Sequence, residues 1–514
     1  MRKPSDKIVT AQYFHDVLRP MIREEKKSIG LCHSVFDLVH PGHIIHFKQA
    51  SEMADVLVVS VTAAAYVRKG PGRPYFDDEK RLEFLSSIEY IDYVILSEGY
   101  TVDDIVEAVE PDLYIKGAEY KKASDDVTGG IEHEERVVQE HGGKLAFTAG
   151  DVFSSTKLIN NALNGLPAEV KSHVKSFKAN YSIKDIQEFT EKIQQLKFLV
   201  IGDTIIDRYT YCRVQGLMSK DMAYSARSSG SEDFWGGAVA IARHLATFTR
   251  HVSLISVIGS EPEILSGMND YLAGSIHLNL CQSREMSTII KQRFVNVNAK
   301  RDEYKKIFSV NNIAEPPFIG EETAKKLYNR IDEEIDAYDA VFLCDFGHGM
   351  ISAPIMELIQ KRAKCLILNC QTNSTNFGFN LITKYQRADY YSLDQKELQL
   401  AYPEYEHDEK EKLEILSRKL GGTGFLTRGA EGAYGCDGEG IVACPALTLQ
   451  VKDTIGAGDS FFAVSGAFAA AGADMTLCTF MGNIGGALGA NIVGNKEPVD
   501  KVNVLKFAGT ILNI

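Results

Sequence analysis

The sequence predicts two α/β domains in tandem, each a mostly parallel sheet with helices on both faces. Three observations predict this. The chain has 514 residues, too many for one ordinary core. Two separate stretches alternate apolar strand patterns with helical patterns, which is how a parallel sheet is written in sequence. Each stretch also holds one glycine turn of the phosphate-binding kind, one at Gly42 and one at Gly456-Ala457-Gly458.

The first 28 residues (MRKPSDKIVTAQYFHD onward) read as a helical extension, amphipathic or frayed, without the apolar stretch of a secretory signal. From Ile29 the order is strand (IGLCHSVF), helix (GHIIHFKQASEMA), strand (DVLVVSVT) and a Gly/Pro loop (RKGPGRPYF). A helix (DEKRLEFLSSI), a strand (DYVILSE), another helix and the strand DLYIKG complete a first domain over 29–163. Residues 164–195 are polar with helical periodicity and read as a linker. A second α/β pattern starts with KFLVIGD and occupies 196–514.

Composition narrows the function classes. The chain is 45% hydrophobic and 24% charged, as globular proteins are. No apolar run reaches the length of a membrane span, so no membrane partner is expected. A net charge of −13 disfavours a polyanionic nucleic acid as partner. The nine cysteines stand singly, with no zinc spacing, which suits free thiols in a reducing, cytoplasmic compartment.

In SVFDLVHPGHIIHF, His40 and His43 stand where the first strand turns into the first helix. Gly42 allows close approach of a ligand, and the helix N-terminus favours anions. Two imidazoles three residues apart could stabilise charge on an α-phosphate as pyrophosphate leaves. A histidine pair beside a glycine also occurs in ordinary loops, but the downstream cations favour the first reading. Lys69 and Arg73 lie in a loop able to close over phosphates, and Arg81 opens the next helix. Lys116-Gly117 end a later strand, and Ser154-Ser155-Thr156 precede another helix start. His46 and Lys48 read as solvated, His133 and His141 as surface residues.

The segments VFDLVHPGH, KGPGRP, PDLYIKGAEYK, HGGKLAF and FSSTKLI resemble, in order and spacing, the cytidylyltransferase-like family, most closely its heptose 1-phosphate branch. The resemblance implies an HxGH nucleotidyltransferase with a Rossmann-like sheet. A phosphorylated substrate would attack the α-phosphate of ATP or CTP. His40 and His43 would then be catalytic. Phe36, Gly42, Lys69, Arg73, Arg81, Lys116, Ser154, Ser155 and Thr156 would surround the nucleotide and its phosphates.

Near the other end, VKDTIGAGDSFFAVSGAFAA puts Gly456-Ala457-Gly458 directly before an apolar helix, with Asp459 at its start. Backbone N–H groups there can hold an oxyanion, and the carboxylate can deprotonate an attacking hydroxyl. This segment resembles the signature of the PfkB (ribokinase-like) sugar kinases, an α/β fold with a small β lid. The resemblance implies ATP as phosphoryl donor with Mg²⁺, and Asp459 as catalytic base. It implies sugar contacts from Asp207, Gly236, Gly237, Lys291 and Arg293. Thr427, Gly429 and Gly432 fall at the nucleotide-side turn, and Asp394 and Glu397 at the element beside Mg-nucleotide. No metal site made of protein groups alone is expected. TYCRVQGLMSKDMAYSARS would form the lid, through which such kinases commonly form homodimers.

Three departures mark the sugar side. Ala240 stands near an expected Asn, Asp394 replaces the Asn of NxxE, and Asn369-Cys370-Gln371 replaces an Asp-Pro-Lys. Both resemblances meet in the bifunctional heptose-phosphate kinase/heptose 1-phosphate nucleotidyltransferase family, whose domains come in the opposite order. A small-molecule sugar phosphate and nucleotides are the partners this implies. A transferase with a non-catalytic kinase-like domain, and a polyol-phosphate cytidylyltransferase fused to a kinase, stay open beside it.

Overall fold

A computed structural model describes residues 3–68, 70, 73–117, 130–149, 167–218, 222–272, 274–298, 303–315, 317–373, 376–404, 408–447 and 451–513. Lys69, Ser154, Ser155 and Thr156 lie outside them. By contacts the chain divides into Met1–Val174 with Leu505–Ile514, and Lys175–Val504.

The first body holds six parallel strands: β1 (Ile8–Val9), β2 (Ile29–Ser34), β3 (Val56–Thr62), β4 (Tyr93–Ser97), β5 (Leu113–Lys116) and β6 (Lys144–Phe147). Their order is β1-β4-β3-β2-β5-β6, so the winding reverses between β2 and β5. Ligands of open α/β sheets bind outside the carboxyl ends of strands at such a reversal. β3, VLVVSVT, is buried along its whole length because helices cover both faces. Those helices include α1 (Pro41–Met53), α2 (Asp78–Ser86) and α3 (Gly130–Glu140).

Three segments differ from the sequence reading. The N-terminal extension is helical from Ala11 to Glu24 but packed rather than frayed, because β1 pairs with β4 and Phe14 is fully buried against the Tyr93 ring. Residues 505–514 also fall in the first body, where Phe507 closes over Gly70 so tightly that no Cβ would fit there.

The second body carries a nine-stranded sheet and a four-stranded one. The main sheet contains β7 (Phe198–Gly202), β10 (Val252–Ile258), β11 (His277–Gln282), β14 (Ala340–Asp345), β15 (Leu366–Cys370), β16 (Tyr390–Asp394) and β17 (Thr423–Thr427), all parallel. β18 (Ala433–Cys436) and β19 (Ile441–Cys444) add an antiparallel edge. The smaller sheet is β8 (Thr204–Leu217), β9 (Tyr224–Gly237), β12 (Ile289–Asn298) and β13 (Glu303–Asn312). It is the lid expected from the sequence, and only Asp203 separates β7 from β8.

Of the expected linker, α4 (Ile183–Gln195) buries Ile186 and Ile193 and belongs to the second body. Its apolar stripe makes it part of a core rather than a solvated spacer. Further on come α5 (Ala238–Ala246), α6 (Gln395–Ala401) and α7 (Ala457–Ala470). The small residues of α7 have a packing purpose. At Gly466 a Cβ would stand 2.6 Å from the Phe342 ring, so only glycine lets this helix lie so close to the sheet.

Candidate active sites

In the first body the chain leaves β2 and enters α1 through His40, the N-cap residue, with Pro41 in the first turn. Proline suits that place because its missing N–H would have no helical partner. The His40 N–H donates to His43 Nδ1 at 3.3 Å, and the two rings lie with centroids 4.0 Å apart. The sequence-predicted histidine pair is thus one rigid unit at a helix N-terminus. Gly42 lies in the same first turn, partly exposed.

Phe36 lies directly under the histidine pair. It is 5% exposed and packs beneath His43 and Phe47, at 5.5 and 5.2 Å between ring centroids. Its φ of 45° is a conformation that costs an L residue about 1 kcal/mol. Packing offsets that cost, and Phe36 props the pair.

The expected phosphate cations are also engaged. Arg73 pairs with Asp37 at 2.9 Å, each side chain only 3% exposed. Asp37 also accepts from the Tyr75 and Phe76 N–H groups, which ties down the loop. Arg81 donates to the carbonyls of Val35 and Thr62 at 2.7 and 2.8 Å and pairs with Asp78. It therefore fastens the ends of β2 and β3 together. Lys116 pairs with Glu134 of α3 at 2.7 Å.

Breaking a buried ion pair leaves an uncompensated charge, which costs about 3 kcal/mol. Asp37→Asn is therefore expected to lower the melting temperature of the first body by roughly 5–10 °C. Differential scanning calorimetry against the unaltered second transition checks this.

Two further histidines lie in the first body. His33, in β2, bonds Ser60 at 2.7 Å, and burial with Lys116 and Lys506 nearby pushes its pKa down to about 3. His46 was expected to be solvated, but its Nδ1 lies 2.9 Å from Thr148 Oγ1 and burial lowers its pKa to about 4. Both are neutral at physiological pH. Lys48 is exposed, as expected. His133 contacts Asp103 at 3.0 Å, and His141 contacts the Val137 carbonyl.

In the second body a cavity of about 250 Å³ opens where β15, β16 and β17 end under the lid. It is lined by Asp207, Lys291 and Arg293 from the lid, and by Gly456, Gly458 and Asp459 from the start of α7. Gly456 is the N-cap at φ 80°, and a Cβ there would collide with Asn495 Oδ1. Only glycine makes this turn, and the helix N-terminus behind it presents backbone donors. Asp459 accepts a hydrogen bond from Gln371 Nε2 at 2.9 Å. Burial pushes its pKa up to about 6, and Asp207 adds to the rise. Ala457, between the glycines, begins the helix itself.

Asp207 is held by Arg293 at 2.6 Å, while burial lowers the pKa of Lys291. Gly236 borders this carboxylate, where a Cβ would stand 2.5 Å from Asp207 Oδ2, while Gly237 lines the cavity and lies against the Asp203 carbonyl.

The altered DxxE element proves conservative. Asp394 is the N-cap of α6, accepting from the Glu397 N–H at 2.7 Å, while Glu397 Oε2 accepts from the Asp394 N–H at 2.9 Å. Aspartate and asparagine serve this cap equally well. Glu397 Oε1 also accepts from the Thr372 N–H, and burial pushes its pKa up to about 8. Thr427 lines the cavity, and Gly429 and Gly432 form the turn after β17 with positive φ. Ala240, 1% exposed in α5, packs in the core and does not line the cavity.

Sequence reasoning missed Asp203, Asp345 and Asp453. Asp345 ends β14 and accepts from Tyr385 OH at 2.7 Å, with Lys384 beside it. Asp203 is 3% exposed, and burial with Asp345 nearby pushes its pKa up to about 7. Asp453 accepts from Tyr209 OH at 2.7 Å and from the Ile455 N–H, shaping the approach to Gly456. For Asp203 and Asp345 the detectable signal was an aspartate at the end of an apolar strand. Among the described residues no His/Cys/Asp/Glu cluster forms a metal site, and no helix is long and apolar enough to cross a membrane.

Comparison with known proteins follows the same division. Residues 31–161 match the cytidylyltransferase-like family, and residues 355–500 the pfkB family of carbohydrate kinases. The bifunctional protein HldE of Desulfatibacillum aliphaticivorans is 38% identical over 148 residues, 28% of this chain and 29% of that protein. HldE of Methylococcus capsulatus is 34% identical over 169 residues, 32% of this chain and 34% of that protein. The chain thus aligns with about a third of the length of these curated relatives. Phosphofructokinase-2 from Escherichia coli aligns with TM-score 0.48 and 14% identity, over 61% of this chain and 98% of that one.

Proposed function

Because this chain joins a cytidylyltransferase-like domain to a pfkB-type carbohydrate kinase domain, in the reverse of the order in the bifunctional family it resembles, we propose that it is a bifunctional enzyme making a nucleotide-activated sugar. The first domain transfers a nucleotidyl group from ATP or CTP to a sugar phosphate. The second phosphorylates a sugar or sugar phosphate with ATP. One observation carries the reading: Asp459 lines the same cavity as Asp207 and the glycine turn of α7.

In the transferase an acceptor phosphate oxygen attacks the α-phosphorus, the bond to the bridging oxygen breaks, and pyrophosphate leaves. His40 and His43 stabilise the charge that builds up on the way. In the kinase Asp459, ionised at pH 7, takes the acceptor hydroxyl's proton. The oxygen attacks the γ-phosphorus and ADP leaves, while backbone N–H groups at Gly456 to Gly458 hold phosphoryl oxygens. Mg²⁺ carried with ATP would supply charge neutralisation for its phosphates. Both Glu397 oxygens are engaged by backbone N–H groups, which suits holding the turn near Mg-nucleotide.

A second reading keeps the transferase and makes the rear domain a ligand-binding module. The Arg293–Asp207 pair favours it, since it occupies a carboxylate expected to hold sugar hydroxyls. The deciding experiment is a mass-spectrometric screen of sugars, polyol phosphates and sugar phosphates against ATP, CTP, GTP and UTP. Pyrophosphate and ADP release are read separately. Pyrophosphate without ADP under every acceptor would select the second reading, and neither product would defeat both. The proposal places the enzyme in the cytoplasm as a homodimer joined through the lid. Sedimentation at micromolar concentration should give twice the chain mass, and a monomer there would remove that part.

A further inference from the structure

The triplet Asn369-Cys370-Gln371, which departs from the charged pattern expected at the end of β15, builds an ordered device in the fold. Asn369 Nδ2 donates to the Ser392 carbonyl of β16 at 3.0 Å. Asn369 Oδ1 accepts from Gln371 Nε2 at 2.8 Å, and the same Nε2 donates to Asp459 Oδ1 at 2.9 Å. The direction of this chain is forced. A main-chain carbonyl only accepts, so the nitrogen of Asn369 must face it and leave the oxygen for Gln371. Gln371 must then turn its NH₂ toward both neighbours, spending one hydrogen on Asn369 and the other on Asp459. Asn369 is 5% exposed, so the anchor is shielded from water.

We propose that Gln371 is the positioning residue of the kinase base, aiming the Asp459 carboxylate through one neutral hydrogen bond anchored on β16. This rests on the kinase reading given above. The consequence is chemical as well as geometric. A cation at this place would stabilise the carboxylate and weaken it as a base. A neutral amide orients it and leaves it basic, which suits proton abstraction near neutral pH. Burial then holds the carboxyl near 6. The other groups around Asp459 are Asp207 of β8 and Lys291 of β12, with Glu397 of α6 and Cys344 of β14 beyond them. Burial and Asp207 push the carboxyl up, while the hydrogen bond from Gln371 and the charge of Lys291 pull it down.

The test uses the full chain labelled with [13Cγ]aspartate. The Asp459 resonance is identified by its loss in Asp459→Asn and followed against pH. Its midpoint should lie near 6. It should fall by roughly one unit or more in Gln371→Lys, through an added charge, and rise in Gln371→Leu. Melting curves establish that each variant is folded. A parallel arm measures kcat against pH with MgATP and a pool of sugars and sugar phosphates, and its acid limb should move with the carboxyl. A role in folding alone would lower stability or kcat without moving the limb. A midpoint that stays put in both folded variants overturns the proposal. Midpoints that move as expected, without phosphoryl transfer in any variant, keep the positioning and sink the kinase reading instead.

Discussion

Replacing Asp459 by asparagine is expected to lower acceptor-dependent ADP formation about a thousandfold while leaving pyrophosphate release unchanged. The two side chains have nearly the same size, so Gln371 and the turn of α7 lose little packing. What disappears is the proton acceptor, and a positioned general base contributes about 10²–10⁴ in rate. The carboxyl is suited to that task because burial raises it to about 6, keeping it ionised but basic at pH 7. MgATP with a pool of sugar and sugar phosphate acceptors is the assay. Residual activity within tenfold of the parent, in a folded variant, would show that this carboxylate is not the base.

The second large effect belongs to the first domain. His43→Asn is expected to cut pyrophosphate release by about 10²–10³, the loss typical of removing one preorganised donor at a developing charge. Asparagine fills part of the space above Phe36, which limits collapse of the α1 start. ADP formation by the second domain should not change, because the two sites have separate cores. If both products vanish together while both thermal transitions persist, the independence of the sites is wrong.

How much of this could be read from the chain alone depends on how local each feature is. His40, Pro41, Gly42 and His43 form one helix start, and Gly456 to Asp459 form another, so a few consecutive letters carry each. The cations were legible as charges but not as partners. Arg73 is claimed by Asp37, 36 positions away, and Arg81 by the carbonyls of Val35 and Thr62. No local pattern announces such pairings, and a basic residue near a glycine loop reads as a phosphate ligand by default. His33 and Asp345 hid for a related reason: each stands at the end of an apolar strand whose neighbours set its environment. β1, two residues long, carries too little periodicity to register, and only β4 makes it a strand. Asn369 and Gln371 were visible as substitutions, yet the direction of their hydrogen bonds needed the position of Ser392.

The membership of residues 505–514 in the first body also bears on how the protein is made. Synthesis runs from the N-terminus, and domains commonly fold in the order they emerge. Here the body that begins first is the last to receive all of its residues, since Phe507 reaches Gly70 only after the whole second body has been translated. The two bodies are nested in the chain rather than strung along it, and no single cut yields both with every residue they own.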